Sequence, residues 1–262
     1  MTNTHYPKNN FLLAESYVSD KGYSESTHEK QAEFAKKRNY PLKKMAIFLH
    51  HPECSEDSAY SIVHALSDEY QIRIFEESEL DDPDFFINLD VIVFPGGIGD
   101  SDMYLNFFTR TRANRISDFI SSGGHYLGIC MGAYWAGSRY FDLLINADTT
   151  QYIKRPDADV KRSYGTVADI KWNGIEEKMY FYDGCSILGE EEGFKVIARY
   201  ANNDPMAIIQ GRIGLIGCHL EASKYWYEKP WQYIEKYWHG GRHHGLLLDF
   251  VNELTEKRNE LR

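Results

Sequence analysis

Cysteine is scarce in this chain, with four among 262 residues. Cys54, Cys130, Cys185 and Cys218 form no Cys-x-x-Cys pair and no zinc-ligand spacing, so the pattern argues against a disulfide scaffold or a cysteine-built metal centre. Basic residues are in deficit, 29 Lys and Arg against 39 Asp and Glu, for a net charge of −10. A surface of that sign repels phosphate backbones and anionic headgroups, so neither a nucleic-acid nor a membrane partner is expected. Long apolar runs are also missing, and nothing approaches the roughly 20 residues of a transmembrane helix. Phe11-Leu-Leu-Ala14 is too short for a signal-peptide core and has only Lys8 before it. With a free thiol in play, these absences make a cytoplasmic protein the expectation.

What is present is a hydrophobic content of 43%, enough for the core of one α/β domain. Tyrosine is frequent at 19, with five tryptophans, which serves either packing or an aromatic-lined cleft. Residues 1–40 read as a polar N-terminal arm and a short charged helix, opened by the capping-box pattern Ser26-Thr-His-Glu29 and running to about Arg38. Pro41 ends it, and residues 41–262 read as a single domain. Strands are expected at Met45–His50, Gln71–Phe75, Val91–Phe94 and Tyr126–Ile129. Helices near Asp57–Glu69 and Thr111–Ser121 alternate with them, the second ending at Gly123-Gly124. That rhythm predicts a mostly parallel sheet flanked by helices. After residue 145, closely spaced strands at Thr166–Trp172, Lys178–Asp183, Phe194–Tyr200, Met206–Gln210 and Ile213–Cys218 predict an antiparallel extension. A last helix, Trp231–Arg258, is expected to break at Gly240-Gly241.

The segment Gly123-Gly-His-Tyr-Leu-Gly-Ile-Cys-Met-Gly-Ala-Tyr-Trp-Ala-Gly137 concentrates the chemistry. An apolar strand runs into a small-residue helix start, with Cys130 at the junction and glycines two positions away on either side. That spacing fits a sharp strand-to-helix turn, where a Cβ at either flank would strike neighbouring backbone. A thiol there meets a helix N-terminus, which favours the thiolate. Ile213-Gly-Leu-Ile-Gly-Cys-His-Leu-Glu221 supplies a base and its orienting acid, because positions two apart in an extended chain share a face. Glu221 is thereby expected to hold His219, with Cys218 turned to the core. Pro95-Gly96-Gly97 ends a buried strand, and the amides of Gly97 and Met131 are the expected oxyanion donors. A phosphate loop at Gly96–Gly99 is rejected, since no Gly-Lys-Ser/Thr follows.

Loops at the C-terminal ends of parallel strands add substrate-binding candidates: Cys54 after the first strand, Gly96, Asp100 and Ser101 after the third, and Tyr134 beside the nucleophile. His239-Gly-Gly-Arg-His-His244 is not backed by nearby cysteine or by a helical i, i+4 histidine pair with a glutamate between, so solvated residues at a helix break are expected there and no metal site. No cofactor motif is present and none is required.

Phe94-Pro-Gly-Gly97, Gly123–Tyr134, Tyr182-Asp-Gly184 and His219-Leu-Glu221, in this order, resemble the class I glutamine amidotransferase-like superfamily, most closely its biotin–protein ligase N-terminal domain branch. The resemblance spans residues 45–225 and implies a flavodoxin-like fold. It implies Cys130 as nucleophile, His219 as base, Glu221 as orienting acid, and Asp183 within a turn that closes the cleft. Leu220 stands where class I amidotransferases usually carry proline, and no Gly-Arg-Gly-Arg-type biotinyl-adenylate loop is present, so biotin ligation is not implied. The expected function is thiol-dependent hydrolysis or amidotransfer on a small-molecule amide or related carbonyl. The alternatives are a non-catalytic regulatory or ligand-binding domain and an ammonia-supplying subunit of a separate synthase. A homodimer is compatible with the aromatic content.

Overall fold

Apolar strands alternating with amphipathic helices wrap the first half of the chain into a parallel sheet. The computed structural model describes residues 42–50, 55–97, 105, 108–231 and 233–256. The expected N-terminal helix, Cys54, Asp100 and Ser101 lie outside the described residues. β1 (Lys43–Phe48) leads into α1 (Glu56–Leu66), whose start is capped by Ser55 Oγ accepting the Ser58 N–H. β2 (Tyr70–Phe75), β3 (Val91–Phe94), α2 (Arg110–Ser121) and β4 (His125–Ile129) follow. The stop of α2 is a Schellman motif: Gly123 takes φ +112°, and the Gly123 and Gly124 amides donate to the carbonyls of Ile120 and Phe119.

After β4 come α3 (Met131–Trp135), β5 (Ala147–Gln151), β6 (Thr166–Trp172), β7 (Ile175–Phe181), β8 (Cys185–Gly189), β9 (Lys195–Tyr200), β10 (Pro205–Gln210) and β11 (Ile213–Ile216). Nine of the strands form one sheet in the order β2-β1-β3-β4-β11-β10-β9-β6-β7. Pairing is parallel from β2 to β11 and antiparallel from β11 to β7. The decisive step is β11, which returns beside β4 with Ile213 opposite Tyr126 and Ile216 opposite Ile129. The chain just beyond β11 therefore arrives next to the chain just beyond β4.

Two features differ from expectation. β5 and β8 pair as a separate two-stranded sheet that no apolar alternation announces, because Ala-Asp-Thr-Thr-Gln is polar and only half-buried. The last helix does not start at Trp231: a short α4 (Lys224–Tyr227) and a 3₁₀ turn precede Gly240-Gly241. Those glycines, at φ +65° and +89°, lie before α5 (Arg242–Thr255) and do not interrupt it. The main core runs along both faces of the sheet, and a smaller cluster of Tyr180, Ala222, Trp226, Tyr227 and Ile234 lies beside the turn after β11. Among the described residues no helix is long and apolar enough to cross a membrane.

Candidate active site

Cys130 occupies the turn between β4 and α3 at φ 51° and ψ −105°, a conformation that costs a non-glycine residue about 1–3 kcal/mol. The flanking glycines make the turn possible. A Cβ on Gly128 would lie 2.4 Å from the Gly132 carbonyl oxygen, and one on Gly132 would lie 1.8 Å from that of Phe94. The strained peptide is braced from several sides: the Cys130 N–H donates to Ile216 O at 2.8 Å, Gly132 N–H to Pro95 O at 3.2 Å, and the Tyr126 hydroxyl to Gly132 O at 2.6 Å. α3 has only five residues, so its dipole contributes less at the sulfur than a full-length helix would.

His219 and Glu221 lie in the turn just beyond β11 and not in the strand itself, yet they meet as expected. The His219 Nδ1–H donates to Glu221 Oε1 at 2.8 Å, and the His219 backbone N–H donates to Tyr180 O at 2.9 Å. That bond assigns the tautomer and leaves Nε2 as the ring's basic atom. Nε2 is buried without a hydrogen bond, as is Glu221 Oε2. Burial alone would push the imidazole pKa down; the Glu221 carboxylate and the Cys130 sulfur override it and raise it to about 10. The Cys130 thiol itself donates to Tyr182 O at 3.3 Å. Cys218 is fully buried, as the strand period predicts.

In front of the sulfur opens a cavity of about 700 Å³ lined by Cys130, Gly97, Met131, Tyr134, Tyr182 and Asp183, among others. Four predicted site residues thus share one cavity with the cysteine. The Tyr134 hydroxyl reaches the carbonyls of Asp183 and Gly184 at 3.2 and 3.1 Å. Gln151 Nε2 donates to both carboxylate oxygens of Asp183 at 2.8 Å, and burial raises the pKa of that carboxyl above its ordinary value. Gly96 is buried next to Gly97, where a Cβ would sit 2.6 Å from His219 Cε1. The far wall, with Arg139, Asp148, Gln151 and Lys154, comes from β5 and its flanks, which carry no motif in the sequence.

Sequence reasoning also passes over Ser58, whose hydroxyl donates to Glu221 Oε1 at 2.7 Å. The expectation of solvated histidines at residues 239–244 is overturned. His243 is fully buried and reaches Glu177 Oε2 at 3.2 Å, its ring stacks on His239 at 3.8 Å, and the His244 Nε2–H donates to the carbonyls of Glu221 and Ala222. Burial pushes His239 down to about 3 and His243 down to about 4. Among the described residues no group of three ligating side chains could hold a metal ion.

Residues 50–146, from the end of β1 past the nucleophile turn, match the family model described as biotin–protein ligase, N terminal. A curated biotin–protein ligase of Schizosaccharomyces pombe is 28% identical over 186 residues, 59% of this chain and 29% of that protein. The chain therefore spans less than a third of that relative's length. A glutamine amidotransferase from Thermotoga maritima superposes with a TM-score of 0.60 at 10% identity, over 83% of this chain and 100% of that one. PurLQS from Thermotoga maritima superposes with a TM-score of 0.56 at 15% identity, over 82% and 100%. At such identities these structures establish the α/β fold alone.

Proposed function

We propose that the protein is a cysteine-nucleophile hydrolase or amidotransferase-like enzyme acting on a small-molecule amide or related carbonyl. The carrying observation is the buried His219–Glu221 pair, bonded at 2.8 Å just beyond β11, the strand paired to the one whose end carries Cys130, with that cysteine fronting a cavity of about 700 Å³. Glu221 holds the imidazole so that Nε2 is the atom that takes the Cys130 proton, and the raised pKa of the ring keeps that proton there near neutral pH as an imidazolium facing the thiolate. The thiolate adds to the substrate carbonyl, and the negative charge on its oxygen is met by the amides of Gly97 and Met131. Collapse expels the amine, which leaves with the proton from Nε2. Water, deprotonated by the same nitrogen, then cleaves the thioester.

The test is ammonia release from L-glutamine and a panel of primary amides, with Cys130→Ala as the control. Release that vanishes in the variant supports the reading; equal release from both proteins contradicts it. Docking to a separate synthase would appear as release that begins only when the partner is added.

A second reading is favoured by the thiol's bond to Tyr182 O in place of His219 and by Leu220 between the histidine and the acid. In it the domain binds a ligand in the same cavity without turning it over. Ligand affinity and cellular function would then survive Cys130→Ala.

A further inference from the structure

Ser58 stands where two parts of the site meet. It is the third residue of α1, fully buried, and its single hydroxyl works in both directions. Oγ donates to Glu221 Oε1 at 2.7 Å and accepts the Gly96 N–H at 3.0 Å. The Gly96 carbonyl is held by the same helix end, accepting from the Ser55 N–H at 2.9 Å. Both polar groups of Gly96 are thus tied to the start of α1, and the next residue, Gly97, faces the cavity beside Cys130. One turn further along α1, Ser61 Oγ meets Ser223 Oγ at 2.8 Å, so the acid's own loop has a second anchor that does not involve Ser58.

We infer that Ser58 is a positioning residue that locks the Gly96–Gly97 loop to the Glu221 carboxylate, so that the Gly97 amide is aimed at the carbonyl oxygen attacked by Cys130. This inference rests on the reading of Cys130 as an acylated nucleophile. A small hydroxyl is required because the position needs one donor and one acceptor within the space of a serine. Alanine removes the Ser58 Oγ acceptor of the buried Gly96 N–H and frees the loop to shift. The carboxylate keeps its bond to His219, and its loop keeps the Ser61–Ser223 side-chain bond.

Two reactions of the same sulfur separate these roles. With iodoacetamide the thiolate displaces iodide and forms a C–S bond at saturated carbon, with no oxyanion at the attacked atom. With p-nitrophenyl acetate the thiolate adds to the carbonyl, charge develops on oxygen, and collapse releases p-nitrophenolate and leaves acetyl on sulfur. Only the second reaction needs the loop. Ser58→Ala is therefore expected to slow acetylation of Cys130 by about tenfold or more while changing its alkylation by less than about twofold from roughly pH 6 to 9. Ser58→Thr retains the hydroxyl and restores the acetylation rate. Ser58→Val has the shape of threonine without it and does not, which repeats the comparison if the alanine variant fails to fold.

An equal loss in both reactions would overturn the inference, because Ser58 would then act through the histidine or through general stability. Unchanged acetylation in folded Ser58→Ala or Ser58→Val would overturn it as well, leaving the reading of Cys130 intact. A wild-type protein that shows neither an acetylated Cys130 by peptide mass spectrometry nor p-nitrophenolate release that depends on Cys130 would instead remove the reading and this inference together.

Discussion

The centre of the parallel half and the far end of the antiparallel wing are buried to different degrees, although β10, where the wing begins, is buried at every residue. β3 and β11 are buried at every residue, and β1 and β4 at all but their first residues. β6 alternates buried and exposed positions in its second half, and β7 begins exposed. Crossover helices cover a parallel sheet on both faces, whereas an antiparallel wing can leave one face to water. The reactive side chains follow that division. Cys130 and His219 issue from the C-terminal ends of β4 and β11, deep in the parallel half. The wing contributes backbone: Tyr180 O holds the His219 amide, and Tyr182 O holds the thiol. β7 carries Tyr180 and Tyr182 follows one residue past its end; the strand is buried only along its last three residues, the end nearest the site. Side chains that must be aimed are placed on the half with the least freedom, while carbonyls are supplied by a strand that needs to be ordered only where it touches them.

The largest effect expected from breaking this contrast is at Gly132. A methyl group there meets the Phe94 carbonyl at 1.8 Å, between two buried backbones that cannot yield independently. Gly132→Ala should cost roughly 3 kcal/mol, within the usual range for overpacking a core. In thermal unfolding that is a fall of about 6–12 °C for a chain of this size, with loss of any acylation of Cys130. A variant with wild-type melting would show that the turn relaxes easily.

An intermediate effect is expected from pH. The folded pKa of His243, about 4, lies below its ordinary 6.5, so the unfolded chain binds more protons as pH falls through that window. Stability from neutral burial of His243 is therefore present above about 6.5 and is lost progressively towards 4. Glu177, held below its ordinary 4.5 chiefly by the Arg242 hydrogen bond, adds a loss only at still lower pH. His219 has the opposite sign. Its pKa is raised to about 10, so its contribution is complete below 6.5 and disappears as pH rises through 10. Melting temperatures from pH 4 to 10 should fall at both ends. His243→Gln, which keeps an N–H for Glu177, should flatten only the acid limb; an unchanged acid limb would assign that loss to other groups.

The smallest effect is expected at the tip of the wing. Ile175 is 67% exposed next to the β6–β7 turn, and Ile175→Thr should change stability by no more than about 0.5 kcal/mol. A loss several times larger in urea unfolding would mean that this edge is covered in solution.

The parallel half is legible in the sequence because its strands are continuous apolar runs between helices with clear ends, and the Cys130 turn because its glycines leave room that no other residue would. The β6–β7 hairpin carries a readable signal in Asn173-Gly174, at φ +48° and +85°, which places the start of β7 at Ile175 and not at Lys178. β5 and the cavity wall it builds are not legible: polar residues paired only to β8 have no alternation to reveal them. Ser58 is hidden for another reason. A serine on the buried face of an amphipathic helix looks like tolerated packing until the chain 163 residues later folds back to place Glu221 beside it. The histidines at 239–244 mislead because glycines within the segment imply exposure, while burial comes in part from Tyr227 and Glu177, which lie outside it in the sequence.

The most direct measurement is the rate of Cys130 alkylation against pH, read by peptide mass spectrometry in the wild-type protein and in His219→Ala. The buried thiols of Cys185 and Cys218 serve as internal references. Coupling of the sulfur to the buried imidazole predicts that Cys130 reacts far faster than either reference near neutral pH, and that His219→Ala lowers its rate about tenfold or more. Equal rates for Cys130 in the two proteins across the range would contradict the triad, and with it the reading of this cavity as a site of thiol chemistry.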